Sequence, residues 1–104
     1  MDCLFCSIAK KEIPADVVFE NDSFVAFKDI SPKAKTHLLI ITKKHIESLK
    51  DITEHDKELM GELLLIAQKI AKDKKLDGYK LQMNVGRKAG QEIDHIHLHL
   101  LAND

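Results

Sequence analysis

"DHIHLHLL", residues 94–101, sets a histidine at every second position, with Ile96, Leu98 and Leu100 between and after them. Side chains of an extended strand alternate between its two faces. His95, His97 and His99 therefore share one face, at steps of roughly 6.5–7 Å. The aliphatic residues take the other face and should pack under a helix. The segment Ile93 to Leu101 thus reads as a strand of a sheet with a helix on one side and imidazoles on the other. A wet strand face explains strict alternation of three imidazoles poorly. A single metal ion explains it no better. Zn–N bonds run to about 2.0–2.1 Å, so at most two neighbouring imidazoles converge on one ion. A division of labour among the three is the better physical reading.

Working back from this strand, Tyr79 to Val85 reads as another, separated from it by the glycine-bearing loop 86–92. Asp77-Gly78 marks the end of a helix that Thr53 would cap. Met60, Leu63, Leu64, Ala67, Ile70 and Ala71 recur there at three- and four-residue steps. Lys72, Lys74 and Lys75 gather where the helix dipole favours cations. His37 to Ile41 is almost continuously apolar, as suits a central strand covered on both faces. Val17 to Phe19 and Phe24 to Phe27 flank an Asn21-Asp22 turn and read as a hairpin. Residues 5–13 suit one or two helical turns, closed before Pro14. The fold class is α+β: a five-stranded, mostly antiparallel sheet with one long helix and a short N-terminal one.

The chain has 104 residues, of which 44% are hydrophobic, enough for one globular domain with a core. A formal net charge of −1 offers no field to steer the chain toward nucleic acid or an anionic membrane. No segment approaches the ~20 apolar residues of a membrane span. The stretch MDCLFCSIAKKEIPAD shows no signal-peptide pattern, so the expected location is cytoplasmic. In a reducing compartment Cys3 and Cys6, spaced C-x-x-C, suggest a metal or redox element rather than a structural disulfide. The redox reading lacks the βαβ context of a thioredoxin-like motif.

The run His95-Ile96-His97-Leu98-His99-Leu100-Leu101 resembles the signature of the histidine triad (HIT) superfamily. KEIPADVVFENDSFVAFKDISPKAKTHLLIITKKHI (11–46) and GYKLQMNVGRKAGQEIDHIHLHLL (78–101) resemble the two halves of its bacterial nucleotide-binding branch. The resemblance implies a single HIT domain over 1–104 that binds purine nucleotides. It implies release of a nucleoside monophosphate from a phosphoramidate or adenylate through a nucleotidyl-histidine. Hydrolysis of dinucleoside polyphosphates and a nucleotide-binding interaction module are the rival readings. His97 would be the nucleophile, His99 would lie near the phosphate oxygens or the leaving group, and His37 would orient both. Phe5, Ile8, Phe27 and Ile30 would form the purine pocket and Asp29 would hold the ribose. Asn84, with Gly90 and Gln91, would serve the phosphate. Cys3, Cys6, His45 and His95 would hold a structural zinc, with no metal needed for the chemistry. A homodimer is implied, with two sheets joined across a two-fold axis. Glu92 stands where eukaryotic members commonly carry a serine that contacts the phosphate. A carboxylate pointing inward there would repel a phosphate; an outward orientation, or pairing with Lys88 or Arg87, would relieve it.

Overall fold

The apolar runs and the histidine stretch pair into one antiparallel sheet in a computed structural model that describes residues 3–103. The strands are β1 (Val17–Glu20), β2 (Phe24–Lys28), β3 (Thr36–Thr42), β4 (Lys80–Gln82) and β5 (His97–Ala102), in the order β1-β2-β3-β5-β4. Two α-helices accompany them, α1 (Leu4–Ala9) and α2 (Lys57–Asp73). Every strand pair is antiparallel, and β3 lies at the centre as its unbroken apolar run predicts.

Register decides what each face carries. Ile40 pairs with Leu98 and Leu38 with Leu100; with Phe24 and Ala26 they meet Leu63, Ile66, Ala67 and Ile70 of α2. Burying an aliphatic or aromatic side chain of this size contributes about 1.5–3 kcal/mol. The opposite face carries Val25, Phe27, Leu39 and Ile41, covered by Phe5 and Ile8 of α1. Because Leu39 pairs with His99 and Ile41 with His97, both histidines fall on this second face. His37 pairs with Leu101, which makes it the diagonal neighbour of His99.

Several boundaries differ from the sequence reading. Thr53 caps a 3-10 turn, Glu54–Asp56, which leads into α2, and the Asp56 carboxylate accepts from the Thr53 N–H at 3.1 Å. The far end of α2 closes before Asp77-Gly78. Lys75 takes the left-handed conformation (φ 58°), the Leu76 N–H reaches Ala71 O, and Leu76 packs on the core. A lysine does there what a glycine usually does. Strand β5 begins at His97, not Ile93. The Ile96 N–H donates to Ile46 O at 2.7 Å and the His95 N–H to Ile93 O, so this stretch leaves the ladder and bends. Strand β4 is likewise shorter than 79–85. No helix among the described residues is long and apolar enough to cross a membrane.

Candidate active site

The hydrogen bonds of three histidines determine where their protons sit. His97 is buried, and its Nδ1 lies 2.7 Å from the His95 carbonyl oxygen. A carbonyl only accepts, so Nδ1 carries the proton and Nε2 keeps its lone pair. His37 Nδ1 accepts the Lys33 N–H at 3.1 Å, which places the His37 proton on Nε2. That proton is donated to His99 Nδ1 at 2.9 Å, so the His99 proton sits on Nε2. Burial, and then the neighbouring His97 and His37, hold the His99 pKa down to about 4. His99 is therefore a neutral donor near pH 7. Asp29 Oδ2 stands 3.5 Å from His37 Nε2, and its other oxygen is tied by the Ser31 N–H. Asp29, His37 and His99 bring three donor atoms close enough to suggest a metal site. The Lys33 contact argues for a hydrogen-bonded relay instead, because it protonates the very nitrogen of His37 that a metal would need.

These groups open on a cavity of about 600 Å³. Its apolar wall includes Phe5, Ile8, Phe27 and Leu39, and Ile30 stands almost wholly exposed at the rim. Asp29, His37 and His99 also line it, as do Asn84, Gly90 and Glu92. His97 lies against this lining, its ring centroid 5.1 Å from both His99 and Phe5. Gly90 has φ +91°, and a Cβ there would stand 3.2 Å from Asn84 Nδ2, so glycine suits the site doubly.

Gln91 is not among the cavity-lining residues. It is buried, its Oε1 accepts the Gly86 N–H, and its Nε2 donates to Glu47 O and Ile93 O. The backbone N–H groups of Gly90 and Gln91 are spent on Arg87 O and Gly86 O. These two N–H groups are thus not offered to a phosphate, as the expected phosphate role of the pair would have them, and Gln91 instead clamps the loop before the triad. Arg87 does not neutralise the Glu92 carboxylate either; it binds the Glu92 backbone oxygen and pairs with Asp94 at 2.9 Å. The Lys33 backbone contact had no sequence signal, since any non-proline residue can supply an N–H.

A second cluster lies where the chain enters β5. Cys3 Sγ is 3.3 Å from His95 Nδ1, Cys6 Sγ is 3.2 Å from His45 Nδ1, and the two Nδ1 atoms are 3.3 Å apart. All four donor atoms lie within 4.8 Å of one another and could hold a metal ion. A tetrahedral zinc with bonds of about 2.3 Å to sulfur and 2.0–2.1 Å to nitrogen sets its ligand atoms roughly 3.3–3.8 Å apart. His95 Nε2 donates to Thr42 O at 2.7 Å, which leaves Nδ1 unprotonated and aimed at the cluster. His45 Nε2 is buried with no such partner among the described residues. Burial, and next a hydrogen bond that the Cys6 thiol donates to Cys3, push the Cys6 thiol up, so a bound cation would have to displace its proton. The donor set and spacing fit a closed Cys₂His₂ site.

Comparison with known proteins comes to the same place. Residues 2–104 match the family described as "Scavenger mRNA decapping enzyme C-term binding". Protein HitA of Neisseria gonorrhoeae is 45% identical over 101 residues, spanning 96% of this chain and 94% of that protein. The purine nucleoside phosphoramidase of Escherichia coli K12 is 42% identical over 102 residues, spanning 96% of this chain and 86% of the enzyme. Among solved structures, a HIT family hydrolase from Legionella pneumophila Philadelphia 1 superimposes with a TM-score of 0.96. It is 51% identical and covers 99% of this chain and 94% of its own.

Proposed function

The chain belongs to the histidine triad (HIT) superfamily, and from that premise we propose that it is a purine nucleoside phosphoramidase working through a nucleotidyl-histidine. It is an enzyme of the HIT nucleotide hydrolase kind. The purine lies against Phe5, Ile8, Phe27 and Ile30, and Asp29 accepts from the ribose hydroxyls. The lone pair of His97 Nε2 attacks the α-phosphorus, and the leaving group departs with the electrons of the broken bond and is protonated from water. His99 Nε2–H donates to a phosphoryl oxygen as negative charge builds on it. His37, its own proton fixed by Lys33, holds His99 in that tautomer. Water then cleaves the P–N bond, returns the pair to His97 Nε2 and releases the nucleoside monophosphate. Asn84 and Gly90 shape the phosphate end.

The observation that carries this reading is the His97 Nδ1–H bond to the His95 carbonyl, which leaves the other ring nitrogen basic beside the cavity. Cys3, Cys6, His45 and His95 are assigned to a structural zinc. When bound, the ion supplies a cross-link between α1 and the start of β5, and no step of the reaction passes through it. Two free thiols suit a reducing, cytoplasmic setting. The whole of 1–104 is taken as one domain. A homodimer is supported by the exposed Leu64 and Leu65 on α2 and Leu81 on edge strand β4.

The test is turnover of adenosine 5'-monophosphoramidate by wild type and His97→Ala, with nucleotide binding measured in parallel. Turnover by wild type alone supports the reading. Binding without turnover in both proteins overturns the enzymatic reading and leaves a nucleotide-binding module.

A further inference from the structure

The cavity has unlike ends, and the sheet order says which is which. The apolar wall comes from α1, β2 and β3, on one side of β5, and Asp29 and Lys33 follow on the β2–β3 connection. On the other side of β5 the lining is mostly polar: Gln82 of β4, then Asn84, Gly90 and Glu92 of the β4–β5 connection, before Ile93 turns back onto the apolar cluster of Phe5 and Ile8. His99 stands between them, paired with Leu39 on one side and Gln82 on the other. A nucleoside seated on the apolar wall, with its phosphorus at the histidines, projects its leaving group toward this polar end.

Glu92 is the charged side chain there. It is exposed to the cavity and, among the described residues, no cation pairs with its carboxylate. Arg87, five positions earlier, is engaged by Asp94 and by the Glu92 backbone oxygen. The lysines of the lining, Lys28 and Lys33, lie on the nucleoside side.

We propose that Glu92 is a specificity-determining residue that selects leaving groups by charge. It favours amines, above all amines bearing a further positive charge, and opposes anionic leaving groups such as a polyphosphate chain. The inference rests on the phosphoramidase reading and narrows it. Breaking a P–N bond turns the departing nitrogen into an amine or ammonium, whose positive charge a carboxylate stabilises. Breaking a P–O–P bond leaves a phosphate with at least one added negative charge, which the same carboxylate repels. Across the distances of such a cavity one unit charge changes rates by roughly tenfold in either direction.

The experiment compares kcat/KM of wild type, Glu92→Gln and Glu92→Ser on three substrates sharing one adenosine 5'-phosphoryl half. Their leaving groups are an uncharged alkylamine, an alkylamine bearing a second, cationic amine, and a nucleoside polyphosphate. In wild type the cationic substrate should lead and the anionic one trail. Either variant should lower the cationic-to-anionic ratio by about a hundredfold, with the two rates moving in opposite directions. Rates that fall or rise together, or a ratio that holds, overturn the proposal and leave the hydrolase standing. If wild type turns over none of the three, the phosphoramidase reading fails and the proposal falls with it.

Discussion

His95 and His97 are two residues apart and make opposite use of the same ring. His95 gives its Nε2 proton to the Thr42 carbonyl and presents Nδ1 to two cysteines and His45. His97 donates its Nδ1–H to the His95 carbonyl and keeps the lone pair on Nε2, its ring 5.1 Å from the cavity-lining His99 and Phe5. Two backbone oxygens therefore assign two tautomers, and the tautomers separate the corner proposed to hold metal from the one proposed to react. An alternating motif need not have one purpose; each imidazole takes its role from what its second nitrogen meets.

The sharpest way to break this comparison is to remove each ring in turn. His97→Ala should lose at least about a thousandfold in turnover while keeping its bound metal. His95→Ala should instead lose bound metal and melt earlier. If both variants fail in the same way, the two corners are not separate. Next in size is the metal itself. Cys3→Ser with Cys6→Ser, or chelation, should lower the melting temperature by about 10 °C or more. Turnover by the protein still folded should change little. One cobalt per chain, with thiolate-to-metal absorption lost in the double variant, would locate the ion.

The relay can be broken without touching either corner. His37→Ala removes the donor to His99 Nδ1 and should lower kcat by about a hundredfold, with a smaller change in KM. An effect confined to KM would contradict the relay. Gln91→Ala strips partners from the Gly86 N–H, Glu47 O and Ile93 O, and should cost about 2–3 kcal/mol in denaturant unfolding. Smallest is a pH effect. The folded pKa of His99 is depressed from 6.5 to about 4, so below 6.5 the unfolded chain binds the proton more readily. Its contribution is whole above about 6.5 and is lost as pH falls toward about 4. His99→Asn should flatten the melting-temperature profile of the metal-loaded protein over that window.

The first hairpin, the central place of β3 and the two faces of β5 were legible because these strands carry apolar residues in runs or in alternation with polar ones. The long helix was legible from its periodicity. What escaped sequence reading was decided by tertiary partners. Nothing local says that Lys75 will turn left-handed; the reward is Leu76 reaching the core. Nothing local stops β5 short of His95; Ile46 O claims the Ile96 N–H. Gln91 looked available to a phosphate from its place in the loop before the triad, yet Gly86 O takes its N–H and Gly86, Glu47 and Ile93 consume its side chain. The Cys and His positions were visible as residues, whereas their convergence needed the fold.

The central claim is that the reactive histidine is His97 and that the metal corner stays out of the chemistry. The direct measurement is rapid quench of a phosphoramidate reaction, followed by peptide mass mapping of the adduct, on metal-loaded and metal-depleted protein. The account predicts a nucleoside monophosphate on His97 in both preparations, forming at similar rates. An adduct on His99 or His95, or an adduct that appears only with metal bound, would contradict it.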